Sequence, residues 1–262
     1  MNPADTILLK RQQVRTVNIL NVPVDNVSLI ELLSKLKNGG VVFTPNVDHI
    51  IKLQKDKSFY QIYSQADYRV CDSQILMIAS RFLGSPFQEK ISGSDLFPAF
   101  YSYYSKDRNV KIFLLGGSPG AAKIARQKIN CKVGRDMIVG SYCPPFGFEN
   151  DSVECQKIVE KINDSGASVL AVGVGAPKQE KWIYKHKNRL HKIKTFFAVG
   201  ATIEFEAGYT HRAPKWISEA GVEWLYRLVQ EPRRLWKRYL VDDTAFLFLV
   251  LLQKLNLYPS NK

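Results

Sequence analysis

A recurring unit in residues 1–208 constrains the fold more than any other feature. It consists of a short apolar run, a turn rich in Gly, Pro or Asn, and a helical stretch. The unit occurs in GGVVFTPNVDHIIKLQKD, YRVCDSQILMIASRFLG, VKIFLLGGSPGAAKIARQKI and SVLAVGVGAPKQEKWIYKH, and TFFAVGATIEFEAG adds one more strand. Buried strands that alternate with helices are typical of a parallel sheet covered on both faces. The sequence therefore predicts an α/β fold with a mainly parallel, Rossmann-like sheet, preceded by a strand or hairpin in VNILNVPVDNVS.

The predicted strands also indicate where a ligand would bind. Parallel strands end at a common edge, and ligands in such folds bind outside the carboxyl ends of the strands. The residues that follow the predicted strands here are Thr44, Asn46, Asp72, Gly116, Gly117, Gly175 and Gln179. We expect them to contribute to one site.

The pattern changes after Gly208, where basic helices follow. We therefore expect an α/β domain over residues 1–208 and a helical, basic appendage over residues 209–262. The appendage contains GVEWLYRLVQEPRRLWKRYL, in which aromatic residues alternate with Arg and Lys and Pro232 is placed to open a second helix. Such a stretch could contact nucleic acid, an anionic membrane or the protein's own core. The formal net charge of +13 favours an anionic partner.

Cysteine usage and apolar runs predict the compartment. The four cysteines form no CxxC pair, which indicates free thiols in a reducing environment. The N-terminal MNPADTILLKRQQVRTVNIL lacks the apolar core of a signal peptide. The run AFLFLVLL is far shorter than the roughly 20 residues that cross a bilayer. We expect a cytoplasmic protein, with contact to a membrane surface left open.

The segment LLGGSPGAAK is the best candidate for a phosphate site. Its glycines permit close backbone approach, and free N–H groups at the start of a helix attract an anion. It matches neither GxGxxG nor GxxxxGK[ST], so a tight turn without a ligand is an equal alternative. Lys178, in the first turn of a helix, opposes the helix dipole and would favour a bound anion there. A solvated helix start is the alternative for Lys178.

Asp72 is the candidate for acid–base chemistry. It stands between a strand and a helix, where a carboxylate either caps the helix or acts as a base, and capping is the commoner role for a single Asp. Thr44 and Asn46 have the same ambiguity as ordinary turn and cap residues. The sequence contains no HExxH and no DxD pair, so we expect no metal ion and no other cofactor.

The order of these motifs is similar to that of the WecG/TagA/CpsF glycosyltransferases. The resemblance covers roughly residues 17–243 and includes FTPNVDHI, CDSQ, EKISGSDLFPAF, LLGGSPGAAKIA, GSYCPPFGF, VGVGAPKQEKWI and AVGATIEFEAGYTHRAPKWISEAGVEWLYRLVQEPRRLWKRY. It implies an inverting transferase that moves a sugar from a UDP-sugar to a polyprenyl-pyrophosphate-linked acceptor. Such enzymes work at the cytoplasmic face of bacterial membranes in surface polysaccharide synthesis.

The resemblance also implies roles for individual residues. Asp72 becomes the general base, Thr44 and Asn46 lie beside it and the donor sugar, and Gln179 lies near the sugar. The turn Gly116-Gly117-Ser118 surrounds the nucleotide, and Tyr142 stacks on uracil. The appendage closes over the site and brings arginines to the acceptor's pyrophosphate. The candidate arginines are Arg212, Arg227 and Arg233.

Three positions depart from the family's usual pattern. Lys90 stands where arginine is common, which replaces a bidentate fork by a point charge. Ser73 replaces a frequent glycine, and Glu204 replaces a usual aspartate. We expect Lys90, Lys178 and Glu204 to contact substrate.

Two other classes of protein remain as alternatives. A basic, aromatic-rich tail also suits a nucleic-acid-binding protein, although that function would leave Asp72 and the glycine turns unexplained. A nucleotide-dependent oxidoreductase is the second alternative, and this sequence lacks the GxGxxG fingerprint of that class. The sequence does not decide whether the protein self-associates.

Overall fold

The computed structural model describes residues 15–210, 213–214, 217, 222–230, 232–237 and 244–259. Six helical residues in its last part are described by their backbone alone, namely Glu223, Trp224, Arg227, Arg234, Leu235 and Lys237.

The described chain forms an antiparallel hairpin and a six-stranded parallel sheet. The hairpin consists of β1 (Thr16–Ile19) and β2 (Val22–Asp25). The sheet consists of β3 (Gly40–Phe43), β4 (Tyr68–Arg69), β5 (Ile112–Gly116), β6 (Ile138–Tyr142), β7 (Val169–Gly173) and β8 (Thr195–Ala198), in the order β4-β3-β8-β7-β5-β6. Every pair of neighbours in this sheet is parallel. The predicted fold class and the early hairpin are thus confirmed.

Helices follow the strands in the predicted alternation. They are α1 (Leu29–Lys35), α2 (Val47–Lys55), α3 (Lys57–Ser64), α4 (Gln74–Leu83), α5 (Gly93–Tyr103), α6 (Ala121–Val133), α7 (Ser152–Asp164), α8 (Lys178–His186), α9 (Thr202–Ala207), α10 (Glu223–Gln230), α11 (Pro232–Lys237) and α12 (Thr244–Lys254). Short 3₁₀ turns occupy Leu36–Asn38, Phe148–Asn150 and Lys187–Arg189. Apolar side chains pack against both faces of the sheet in two separate clusters.

Polar caps fix where the helices near the site begin. Asn46 caps α2 by accepting the N–H of His49, and Ser92 caps α5 by accepting that of Asp95. Ser73 caps α4 through the N–H of Leu76. The N-cap residue of α4 is thus Ser73 and not Asp72, which had capping as its commoner role.

The strand order creates a crevice between β5 and β7. The chain leaves β5 through α6 toward β6, at one edge of the sheet. It leaves β7 through α8 in the opposite direction, toward β8. Two neighbouring strands whose connections diverge define the switch point at which α/β folds bind ligands.

The last helix packs against the α/β domain with one side only. Phe246 and Val250 are buried, and Gln253 bonds the backbone of Asn18 and Leu20 in the hairpin. Leu247 and Phe248 point outward, at 66 % and 63 % exposed. The division at residue 208 stays a prediction, whereas the start of α11 at Pro232 agrees with the sequence. Among the described helices, none is long and apolar enough to span a bilayer.

Candidate active site

Asp72 and Thr44 lie side by side at the carboxyl edge of the sheet. Thr44 follows β3 and Asp72 follows β4, its neighbour. The Oγ1 atom of Thr44 lies 3.5 Å from Oδ2 of Asp72, which is longer than the roughly 2.5–3.0 Å of an ordinary O–H···O hydrogen bond. The N–H of Asp72 donates to the carbonyl of Pro45 at 2.9 Å, which fixes the backbone of the loop. Asp72 is half-buried at this edge of the sheet.

The surroundings of this pair include other predicted residues. The side-chain oxygen of Asn46 caps α2 by accepting a hydrogen bond from the N–H of His49 at 3.2 Å. Lys90 is half-buried in the segment before α5. Burial raises the pKa of the Cys71 thiol to about 12. The negative charge of Asp72 adds to this rise, and the positive charge of Lys90 opposes it. Lys90 and Asp72 therefore both lie close to Cys71.

A cavity of about 490 Å³ opens at the same edge, over the crevice between β5 and β7. Its walls come from the loops after β5, β6, β7 and β8, with the lining residues Gly116, Gly117, Ser118, Pro144, Pro145, Phe146, Gly147, Phe148, Glu149, Gly173, Val174, Gly175, Lys178, Gly200, Ala201 and Glu204. The structure thus brings together the predicted glycine turn, Lys178, Gly175 and Glu204. The volume is within the range of pockets that hold small ligands.

Glycine is required where two of these loops meet. Gly116 has φ +117°, and a Cβ there would collide with the backbone carbonyl of Gly173. A Cβ on Gly173 would in turn lie 2.6 Å from the carbonyl oxygen of Gly200. The absence of side chains lets the ends of three neighbouring strands lie close together. The resulting floor of the cavity is bare backbone, which suits close approach of a ligand.

Glu204 ties the glycine turn to the first turn of α9. One carboxylate oxygen accepts both the N–H and the hydroxyl of Ser118, at 2.5 and 2.7 Å. A carboxylate at this place occupies an N–H group that would otherwise be free for an anion. The same carboxylate is well suited to accept hydroxyl groups of a bound sugar or ribose.

Gln179 is buried rather than directed into open space. Gln179 is 3 % exposed. Its Oε1 atom accepts a hydrogen bond from the N–H of Gly200 at 3.1 Å, and its Nε2 atom donates one to Glu180 at 2.9 Å. The predicted contact with the donor sugar stays a prediction. The contact that the structure shows is with the turn that lines the cavity.

The loop after β6 contributes an aromatic residue that the sequence analysis missed. Phe146 lines the cavity and is 100 % exposed, with the ammonium of Lys178 at 4.5 Å from its ring centroid. Lys178 also pairs with Glu149 at 2.8 Å, and this contact lowers the pKa of the Glu149 carboxyl. The signal was present in CPPFGF, where an aromatic residue stands in a Pro/Gly turn directly after a strand.

Tyr142, the predicted partner of uracil, is not among the residues that line this cavity. Its hydroxyl donates to Glu154 at 2.5 Å, and the ammonium groups of Lys157 and Lys161 lie 5.4 and 5.3 Å from its ring centroid. These contacts anchor the end of β6 to α7. A stacking role for Tyr142 stays a prediction.

The predicted arginines belong to the C-terminal part of the chain. Arg212 lies outside the described residues, and the side chain of Arg227 does as well. Arg233 is exposed near the start of α11. Their contact with an acceptor therefore stays a prediction.

Comparison with known proteins gives the class of this chain. Residues 17–260 match the family model described as the glycosyl transferase WecG/TagA/CpsF family, and the chain belongs to that family. A relative from Bacillus subtilis (strain 168) is 27% identical over 233 residues, which cover 86% of this chain and 88% of the relative. Its name is N-acetylglucosaminyldiphosphoundecaprenol N-acetyl-beta-D-mannosaminyltransferase.

A second relative carries the same name in Staphylococcus aureus (strain MRSA252). It is 26% identical over 237 residues, which cover 87% of this chain and 89% of the relative. The predicted resemblance is therefore confirmed. A glycosyltransferase accounts for the strand-end site, whereas neither the nucleic-acid-binding nor the oxidoreductase alternative gains support.

Proposed function

We propose that the protein transfers a sugar, with inversion, from a UDP-sugar to a polyprenyl-diphosphate-linked N-acetylglucosamine. The acceptor is taken from the names of the two relatives, and cell-surface polymer synthesis is the corresponding process. The single observation that carries the proposal is the arrangement of the carboxyl edge. A glycine-floored cavity and an Asp–Thr pair lie on one edge of one sheet.

The spacing along this edge suits a nucleotide sugar. Between the ends of β5 and β3 lie two strands, β7 and β8, so the distance is three strand spacings, or about 14 Å. The nucleotide would occupy the cavity over β5 and β7. The diphosphate and the sugar would then extend past Gly200, at the end of β8, toward Thr44 and Asp72.

The proposed reaction is a single displacement at the anomeric carbon. The acceptor hydroxyl oxygen forms the new bond as the bond from the anomeric carbon to the diphosphate oxygen breaks. Asp72 takes the proton of the attacking hydroxyl, and UDP leaves with the electron pair of the broken bond. One displacement inverts the anomeric configuration, and one correctly placed base is sufficient for it. Thr44 orients the Asp72 carboxylate in this scheme.

Charge on the leaving diphosphate needs stabilisation in the transition state. We assign this role to nearby basic side chains, with Lys178 and Lys90 as candidates, because the N–H groups of Gly117 and Ser118 are already bonded to Gly173 and Glu204. Lys178 would exchange its contact with Glu149 for one with the ligand. The proposal includes transfer without a divalent ion, and full activity in the presence of EDTA is the expected result.

The lipid-linked acceptor requires the protein to work at a membrane. Leu247, Phe248 and Leu251 form an outward face on α12, and each is between 45 % and 66 % exposed. Leu225, Val229 and Trp236 on α10 and α11 are exposed as well. Apolar side chains in this number call for a partner, and aromatic and basic residues together favour an anionic bilayer surface. We propose peripheral attachment through this C-terminal region.

Titration of the purified protein with UDP tests the donor part of the proposal, with NAD and a short oligonucleotide in parallel. We expect saturable binding of UDP and no binding of NAD or of the oligonucleotide. Ala201→Trp, which fills the cavity, should abolish this binding, and Ala245→Trp on exposed α12 is the matched control. Equal UDP affinity in Ala201→Trp would show that the cavity is not the donor site. Binding of the oligonucleotide but not UDP at physiological salt would contradict the proposed function.

A further inference from the structure

Glu180 is a fully buried acid that the proposed reaction does not use. It is 0 % exposed in the first turn of α8. Oε1 accepts the Nε2–H of Gln179 at 2.9 Å, while Oε2 has no hydrogen-bond partner within the described part of the chain. Unsatisfied buried polar atoms are rare in native proteins, and each one needs an explanation.

The contact with Gln179 determines which way its amide points. The N–H of Gly200 can only donate, so it needs the oxygen of the Gln179 amide, which lies at 3.1 Å. The NH₂ group must then face an acceptor on the other side, and Glu180 supplies one. Without that acceptor, the amide would lose a buried hydrogen bond and its orientation would no longer be fixed.

The orientation matters because Gly200 belongs to the cavity. Gly200 adopts φ +54° in the turn between β8 and α9, and both Gly200 and Ala201 line the cavity. The helix that follows this turn carries Glu204 to Ser118. A shift of the turn would therefore move one wall of the cavity and the contact with the glycine turn together.

Charged and titratable groups on α2 and α3 face Glu180. The positive charge of Lys52 lowers its pKa and the negative charge of Asp48 raises it, but burial is the main cause, and it brings the pKa to about 7. The Glu180 charge contributes in turn to the raised pKa of Tyr63, whose hydroxyl lies 3.0 Å from Nδ1 of His49. An apolar residue would avoid the cost of burying this carboxyl. Local rules of stability are most often broken at functional sites.

We propose that Glu180 is a positioning residue of the donor site. Its carboxyl fixes the amide of Gln179, so that the amide oxygen holds the Gly200 N–H and with it the turn that lines the cavity. The inference rests on the proposed function only in taking the cavity as the site of the donor nucleotide.

Two substitutions separate this role from a general contribution to packing. Glu180→Gln keeps an acceptor for the Gln179 amide, whereas Glu180→Leu has a similar size and no acceptor. Ile183→Val, on the same buried side of α8, is the control for packing alone. The measurements are hydrogen exchange of the Gly200 amide by NMR, UDP affinity, and KM and kcat for the donor.

We expect Glu180→Leu to speed exchange at Gly200 and to weaken UDP binding by about tenfold, with donor KM raised more than kcat is lowered. Glu180→Gln and Ile183→Val should stay within about twofold of the wild type in both readouts. The proposal is overturned if Glu180→Gln is as impaired as Glu180→Leu. It is also overturned if Glu180→Leu matches the wild type, or if Ile183→Val changes as much.

A second measurement does not depend on Glu180→Leu being folded. The side-chain amide resonances of Gln179 should shift with pH in the wild type, with a midpoint near 7, and should not shift in Glu180→Gln. Resonances that shift with pH in Glu180→Gln as they do in the wild type would overturn the proposal. If UDP fails to bind the wild type, the proposed function fails, yet Gly200 exchange and the Gln179 titration still test the role of Glu180.

Discussion

At the scale of the residue, Phe146 carries a clear functional expectation. It stands fully exposed on the rim of the cavity, beside the Lys178 ammonium. An aromatic ring held in water gains most from a planar ligand that stacks on it, and stacking on a base contributes about 1–3 kcal/mol. We therefore expect Phe146, rather than Tyr142, to contact the base of the donor.

A pair of identical changes decides between the two aromatic residues. Phe146→Leu should weaken UDP binding by about tenfold, because an aliphatic side chain cannot stack. Tyr142→Leu should leave the affinity nearly unchanged. Isothermal titration with UDP measures both. Loss of affinity in Tyr142→Leu with none in Phe146→Leu would return the stacking role to Tyr142.

Glu180 makes stability depend on pH in a defined direction. Its folded-state pKa of about 7 lies above the ordinary value of 4.5. Between these values the folded protein retains a proton that the unfolded chain releases, so the free energy of unfolding falls as pH rises through this window. Glu180→Gln removes the titration. The free energy of unfolding of Glu180→Gln, relative to that of the wild type, should therefore rise by on the order of 3 kcal/mol between about pH 5 and 8.

Urea unfolding of both proteins at several pH values measures this difference. A difference in the free energy of unfolding that stays constant with pH would show that Glu180 does not titrate in this window. All other titrating groups are the same in both proteins, so their contributions cancel in the difference.

At the scale of the element, the close approach of β5 and β7 depends on glycine. Gly116 and Gly134 both have positive φ, at +117° and +70°. A Cβ on Gly116 would collide with the carbonyl of Gly173, whereas a Cβ on Gly134 meets no atom of the described residues within 4 Å. Alanine would therefore strain the backbone at both positions, but only at position 116 would its Cβ also collide with a neighbouring strand.

Alanine at each position separates these two effects. Gly134→Ala should lower the free energy of unfolding by about 1 kcal/mol, the cost of a left-handed residue. Gly116→Ala should cost about 3 kcal/mol or more, because the strand ends must also move apart. Chemical denaturation measures both values. Equal losses would mean that the strand ends are loosely packed.

Helix α12 has two different faces. Phe246 and Val250 pack against the α/β domain, so deletion of the C-terminal region would damage the core as well as any membrane contact. Substitutions on the outward face avoid this problem. The helix can therefore be tested in the full-length chain.

Membrane attachment should depend on that outward face. Leu247→Ser, Phe248→Ser and Leu251→Ser together should reduce sedimentation with anionic vesicles by about tenfold or more, because less apolar area is buried. Ile30→Ser with Val153→Ser, at exposed apolar positions on α1 and α7, is the control. Equal sedimentation of both variants would remove α12 from the contact. High salt should weaken binding of the wild type, because it screens the attraction of a chain with a net charge of +13.

At the scale of the whole molecule, periodic and local signals predicted most of the architecture. The apolar runs end within one residue of the ends of β3, β5 and β8, and the glycine turn, Thr44 and Asp72 all follow strands as expected. Strand β4 is shorter than its apolar run, because it ends at Arg69, before Val70 and Cys71. These features depend on short-range chemistry such as caps, turns and burial. The same signals placed Lys178 and Gly175 in the cavity lining.

Features that depend on distant contacts could not be predicted in this way. Ser118 and Glu204 are 86 residues apart, and no periodicity shows that they bond. The run AFLFLVLL gives no indication of which side packs, because all of its residues are apolar. Tyr142 and Phe146 are both aromatic residues near the end of β6, and only tertiary contacts distinguish them, because Tyr142 bonds Glu154 whereas Phe146 lines the cavity.

The proposed reaction depends on Asp72 as the base of a sugar transfer from UDP. Transfer of labelled N-acetylmannosamine from its UDP derivative to a polyprenyl-diphosphate N-acetylglucosamine acceptor tests it most directly, in wild type and Asp72→Asn, with UDP affinity measured on both. Asp67→Asn, which keeps an acceptor for the N–H of Val41, is the control. We predict transfer by the wild type and the control, a loss of about 10²–10⁴-fold in Asp72→Asn, and unchanged UDP affinity. Full transfer by Asp72→Asn would show that Asp72 is not the base.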